Sequence, residues 1–382
     1  MTDLIESKLK DKIVAYRHQF HEHPELANQE VWTTAKIKEI LESWHINLRP
    51  SKLKTGVFAE IGANNPGPTL ALRADIDALP IQEESGVDFS SQNLGVMHAC
   101  GHDTHIAALL GAAYLLKQQE NKLAGKIRLI FQLAEEDKEG ALQAIQDGQL
   151  ADVDAIVGFH NVPNHPVGTI GIKSGITSGA IDKFKVYLTG VGAHASTPQA
   201  SIDSITALGY LITELQSLVS RNLDPFSPAV LSITQVAAGN TWNVLPEKSF
   251  LQGTVRTADK TARSLIKKRF FEIVTAVAQA HQVKADIDWY DGDPSVDNDP
   301  KLTDLVADES RKFAKVYQER PALGSDDFAC FQELVPGVYA KLGNGEQVGA
   351  HNPHFKADDD VAVFGTRYFY AVSKRLLKEL KK

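Results

Sequence analysis

KIRLIFQLAEE, residues 126–136, is an apolar run of strand length that stops at two adjacent carboxylates, Glu135 and Glu136. A short run rich in Ile, Leu and Phe reads as a buried strand. Ligands of open α/β sheets bind beyond the carboxyl ends of the strands, so a pair of acids there points to a site. The same pattern recurs nearby. GVFAEIG (56–62) and TLALRADID (69–77) read as strands, the second ending in Asp75 and Asp77, and AIVGFHN (155–161) ends in His160. THIAALLGAAYLL (104–116) reads as a buried helix, with Asp103 or Thr104 as its cap. Residues 4–20 and 32–44 carry apolar positions at helical spacing. Strands alternating with helices predict an α/β sheet.

The middle of the chain changes character. DKFKVYLTGVGAHAS (182–196) alternates like a half-exposed strand, and residues 203–218 read as a helix. AVLSITQVAAG (229–239) and SFLQGTVRT (249–257) read as strands, 262–281 as a long helix, and KADIDWY (284–290) as a further strand. This βαββαβ order predicts a ferredoxin-like α+β unit with helices on one face. Residues 295–382 return to mixed α/β. The expected organisation is a discontinuous domain, 1–181 and 293–382, interrupted by an inserted domain over 182–292. A chain of 382 residues is long for one typical domain, which agrees with two.

A net charge of −8 argues against a nucleic-acid partner, which favours a basic face. Two cysteines, Cys100 and Cys330, cannot build a disulfide framework. The charged N-terminal stretch has no apolar h-region, and no run of 18 apolar residues suggests a membrane span. The expectation is a cytoplasmic enzyme with no membrane partner.

HACGHDTH, residues 98–105, concentrates three His, one Asp and one of the two Cys within eight residues. Imidazole, thiolate and carboxylate are the ligands of divalent transition metals. With Cys100 and His102 from this segment, Glu136, His160 and His351 complete five candidate ligands of mixed N, O and S type. Five exceed the four of one tetrahedral zinc site. Two metals about 3.5 Å apart, with Cys100 or a water between them, use the set more economically. Thiolate favours zinc, nickel or cobalt, while carboxylate and water positions tolerate manganese. Glu135 is then left beside the centre, able to take a proton from water and pass it to a leaving amine. Asp75 can orient a ligand histidine from behind, and Arg73 can pair with Asp75 or Asp77. In the inserted domain, His194 of GVGAHASTP can stabilise an oxyanion. Asn243 of NTWNVLP lies on the same domain, as does Arg256 of GTVRT, whose guanidinium is shaped to hold a carboxylate.

Taken in order, RHQFHEHPEL, ALRADIDALPIQE, MHACGHDTH, IFQLAEE, GFHNVP, GVGAHAS, GNTWNVLP, GTVRT, GSDDFACF and AHNPHF resemble the aminoacylase/carboxypeptidase family of amidohydrolases with a paired-metal centre. That family includes hippurate hydrolase, N-acetyl-amino-acid deacetylases and auxin-conjugate hydrolases, and the match spans nearly the whole chain. The resemblance implies metal ligands at Cys100, His102, Glu136, His160 and His351, with Glu135 as general base and acid. It implies Asp75 behind the metals, and His194, Asn243 and Arg256 on the substrate side. It also implies a catalytic domain with a mixed, mostly parallel sheet, and a lid domain that mediates assembly into a dimer or tetramer. The expected activity is removal of an acyl group, acetyl above all, from an N-acyl amino acid. A dipeptidase or carboxypeptidase is the alternative, and an inactive binding protein a further one. Three positions depart from the family pattern: Leu133 replaces proline before the glutamate pair, Gln199 replaces histidine in the lid motif, and Asp326 replaces glutamate in the late motif.

Overall fold

In the computed structural model, which describes residues 7–381, Thr69–Asp75 lies inside an eight-stranded sheet and is buried along its whole length. It pairs in parallel with Lys126–Gln132 on one side and Ala155–Val162 on the other. Ala155–Val162 continues in parallel to Gly337–Gly343, and Thr169–Ile172 pairs in parallel with Lys315–Gln318. Three pairings are antiparallel: Asn47–Leu48 with Val57–Ile61, Val57–Ile61 with Lys126–Gln132, and Gly337–Gly343 with Thr169–Ile172. The sheet is therefore mixed and mostly parallel, as expected. Strands covered on both faces need apolar residues throughout, which is why these runs do not alternate.

Helix His102–Gln118 explains its own position. Thirteen of its residues are buried, and a helix apolar nearly all round belongs inside. It packs on helix Asp359–Leu380, whose N-cap Asp358 accepts from the Asp360 amide. Two expectations need correction. The inner helix starts at His102, not Thr104, and its N-cap is Gly101 at φ +86° with no side-chain cap. Asp103 cannot cap because its carboxylate is turned to Arg17 and His21. The strand expected over 69–77 ends at Asp75. Of the helix expected from residue 4, positions 4–6 lie outside the described residues; the described part spans Ser7–Glu22.

Contacts divide the chain into two units. The first runs to Thr177 and resumes over Asp297–Arg320 and from Asp327; the second holds Ser178–Val296 and Pro321–Asp326. The second unit contains a four-stranded antiparallel sheet in the order Ala229–Ala238, Lys248–Thr257, Ala180–Thr189, Lys284–Asp291. Numbered along the chain this is 2-3-1-4, the ferredoxin-like order. Lys248–Thr257 alternates strictly between buried and less buried positions, as a one-faced strand must. Its inner face joins Phe184, Leu211, Leu215, Phe270 and Val274 in one core, which seats helices Ser204–Asn222 and Lys260–Ala280. Asp203 and Asp259 cap those helices by accepting backbone N–H groups. Among the described residues, no helix is long and apolar enough to cross a membrane.

Candidate metal centre

The strand Lys126–Gln132 stops two residues short of the glutamate pair. The chain then reverses at Ala134, which adopts φ +49°. Two buried carboxylates pin this turn: Glu30 accepts from the Ala134 N–H at 2.8 Å, and Asp77 from the Glu136 N–H at 2.9 Å. Glu135 is buried rather than facing water, in spite of its place at the head of the acidic stretch EEDKEG. Leu133 is buried too.

The five candidate ligands come from four segments, with Cys100 and His102 at the start of helix His102–Gln118, and fall into two groups. Cys100, His102 and His160 have ligand atoms within 4.8 Å of one another, and so do Cys100, Glu136 and His351. Cys100 belongs to both. Its Sγ lies 3.3 Å from His160 Nε2, while His160 Nδ1–H donates to the Asn161 carbonyl at 2.7 Å. That bond puts the hydrogen on Nδ1 and the lone pair on Nε2, the state in which imidazole binds metal. His102 is set the same way: its Nδ1–H donates to the Asp77 carbonyl at 2.9 Å. His102 Nε2 and Glu136 Oε1 are buried and no protein group satisfies either. A buried unpaired polar atom costs about 1–3 kcal/mol. Two such atoms beside a thiol and two imidazoles fit divalent cations, whose ligands stand about 3.5 Å apart at bond lengths of 2.0–2.3 Å. His351 approaches from an exposed loop, held by its N–H to the Ala99 carbonyl and by a left-handed backbone at φ +63°. Its Nε2 is 3.4 Å from Glu136 Oε1, an ion-pair distance without hydrogen-bond geometry. The facing Cys100 sulfur and Glu136 carboxylate raise the His351 imidazole to about 10. A cation bound there displaces a proton.

Asp75, His102 and His105 form a third close group, but two of its members are already engaged. His105 Nδ1–H donates to Asp75 Oδ1 at 2.5 Å, and its Nε2 faces the Asn161 amide at 2.7 Å. Arg73 donates to Asp75, to Gln132 and to Asp327. Burial opposes charge on Asp75, yet Arg73, His102 and His105 hold its carboxyl well below the usual range. This network ties three strand ends together behind the centre. Arg73 thus pairs with Asp75. Asp75 lies 3.8 Å from His102 Nε2, and the Asp77 carbonyl accepts the His102 Nδ1–H. Sequence reading missed Asp327, Gln132 and Asn161. Only Asn161 carried a local signal, as the polar residue after His160.

In the second unit, His194 and Asn243 are neighbours. Ala193–His194 pairs with Val244–Leu245, and the Asn243 carbonyl accepts from the Ala195 N–H at 3.0 Å. The Ser196 N–H donates to His194 Nδ1 at 3.1 Å. A backbone amide can only donate, so the neutral ring carries its hydrogen on Nε2. Arg256 stands on Lys248–Thr257 and donates to the Leu323 carbonyl at 3.4 Å. Gln199 is exposed and Asp326 is buried.

An α/β sheet whose strand ends gather two ligand groups around a shared thiol, with a buried carboxylate at hand, is the framework of a metal-dependent hydrolase. The model of peptidase family M20/M25/M40 matches residues 71–375, and the chain belongs to that family. N-acetyl-L-cysteine deacetylase of Bacillus subtilis is 44% identical over 372 residues, covering 97% of this chain and 89% of the relative. Thermostable carboxypeptidase 2 of Saccharolobus solfataricus is 37% identical and covers 94% and 93%. Among solved structures, the YXEP protein of Bacillus subtilis, a dinuclear metal-binding peptidase of the M20 family, superposes with a TM-score of 0.88 at 37% identity. It covers 98% of this chain and 99% of its own.

Proposed function

We propose that the protein is a dinuclear metal amidohydrolase that removes the acetyl group from N-acetyl amino acids, cysteine derivatives among them. The observation that carries this reading is the pair of ligand groups meeting at Cys100. Cys100, His102 and His160 would hold one cation, and Cys100, Glu136 and His351 the other. Cations held there would supply Lewis-acid polarisation of the amide carbonyl and of a water. Glu135, buried and grouped with His102 and Glu136, would accept a proton from the attacking water and return it to the departing amine. His194 offers an Nε2–H suited to a developing oxyanion. Arg256 holds the substrate carboxylate with parallel hydrogen bonds, and Asn243 positions the amide. Thiolate and imidazole favour zinc, nickel or cobalt, with manganese tolerated on the Glu136 side. The reading extends to a cytoplasmic homodimer built through the second unit, whose edge strand Ala229–Ala238 exposes Val230 and Val236.

The test is a substrate panel of N-acetyl amino acids against dipeptides and N-blocked peptides, with each of the four metals supplied in turn. Turnover of N-acetylcysteine and other acetyl amino acids above all peptides supports the proposal. Preference for C-terminal residues of peptides supports the carboxypeptidase reading, which the 37% identity to the archaeal carboxypeptidase favours. Inert protein with every metal would overturn both.

A further inference from the structure

Helix Asp359–Leu380 carries a stripe of cations on one face. Arg367, Lys374, Arg375 and Lys378 line a cleft of about 330 Å³, closed on the other side by Lys312 and Phe313. Glu309 is the only carboxylate among the described lining residues, against five cations, in a chain whose net charge is −8. Pairing within the cleft leaves a surplus. Lys312 takes Glu309, and Arg375 reaches Glu379. Lys374 is held by Gln119 and the Tyr370 hydroxyl, both neutral. Arg367 lies 4.7 Å from the centroid of the Phe313 ring. Among the described residues, neither Arg367 nor Lys378 has a carboxylate partner. The negative end of the helix accounts for a cation in its last turn, such as Lys378. It does not account for Arg367, about three turns earlier.

A guanidinium stacked on a ring keeps its N–H edge free for two parallel bonds to an oxyanion. From Arg367 to Lys378 the helix rises about 16 Å, at 1.5 Å per residue. The long Arg and Lys side chains can bring their charges closer together than this backbone span, but five cations still outnumber what one carboxylate or one phosphate can answer; several anionic groups in a row match them. The volume is at the small end of ligand sites, about 300–1,000 Å³. We propose that this cleft binds a linear phosphoanhydride chain, free as tripolyphosphate or borne by a nucleoside triphosphate. The site is independent of the hydrolytic reading.

Isothermal titration of the full chain in excess magnesium, with tripolyphosphate, ATP and adenosine, tests it. The expected result is saturable binding of both polyphosphates, none of adenosine, and weakening with salt. Equal affinities identify the phosphate chain alone as the ligand, and a preference for ATP identifies the nucleotide. The double variant Arg367→Ala/Lys378→Ala, altered only at cleft side chains, should bind at least about tenfold more weakly. Absence of saturable binding, unchanged binding in the double variant, or stronger binding of polyglutamate or an oligonucleotide would overturn the proposal.

Discussion

Glu135 and Glu136 are adjacent and chemically alike, yet the turn at Ala134 gives them different neighbours. Glu136 Oε1 faces His351 and His102, whereas Glu135 lies beside the centre with Lys138 Nζ 3.9 Å away. Glu135→Gln keeps the shape and removes the proton acceptor. It should retain two metals per chain by elemental analysis and lower kcat by about 10²–10⁴. Near-normal kcat would remove Glu135 from the proton path. His351→Ala acts on one group only. The Cys100, His102 and His160 group keeps all its ligands, so metal content should fall from two towards one per chain, and loss of both would contradict a first group that holds its cation without His351. At this scale the ligand types were legible because metal chemistry restricts them to few side chains. Their supports were not. The carbonyl of Asp77 and the carboxylate of Asp327 act through long-range contacts that no local spacing encodes.

At the scale of elements, the start of helix His102–Gln118 is the most constrained point. Gly101 adopts φ +86°, and a Cβ there would stand 2.5 Å from the Asn161 side chain. Gly101→Ala therefore combines backbone strain with displacement of Asn161. A loss of about 1–3 kcal/mol is expected in urea unfolding, together with weaker metal binding. No change in either would contradict the packing described. The same helix start is tied to helix Ser7–Glu22 by Asp103, which accepts from Arg17 and His21 at 3.0 Å each. Burial opposes charge on His21, yet Asp103 and Glu83 raise its imidazole to about 9. Because the folded value lies above the unfolded one, this stabilisation is complete below about pH 6.5 and is lost as pH rises through 9. It is worth up to about 3 kcal/mol. Unfolding of chelator-treated protein at pH 6.5 and 9.5 measures it, and His21→Gln should flatten the difference. An equal slope in both proteins would place the ionisation elsewhere. Apolar runs made strands and helices readable, but the helix start was misplaced by two residues. Asp103 looks like a cap from its neighbours, and only the distant Arg17 and His21 claim it.

At the scale of the molecule, the sheet order joins strands far apart in sequence, with Gly337–Gly343 beside Ala155–Val162. That insertion of a late strand was not readable from periodicity, although the alternation of elements made the α/β class clear. The βαββαβ order did predict the ferredoxin-like sheet of the second unit, because strand Lys248–Thr257 and helix Ser204–Asn222 each bury one face in its core. The short segment Pro321–Asp326, which groups with the second unit, carries no sequence signal of that membership. Cations shared by loops from four strand ends should stabilise the whole first unit. Saturating metal at about 100 times Kd adds about 2.7 kcal/mol per site, seen as a higher Tm than with chelator. An unchanged Tm would mean that the centre is not coupled to folding. The most direct test is anomalous scattering from crystals grown with zinc or manganese. Two peaks about 3.5–4 Å apart are expected, one beside His102 and His160, the other beside Glu136 and His351, with Cys100 Sγ touching both. A single peak, or peaks that Cys100 does not join, would contradict the shared-thiol centre.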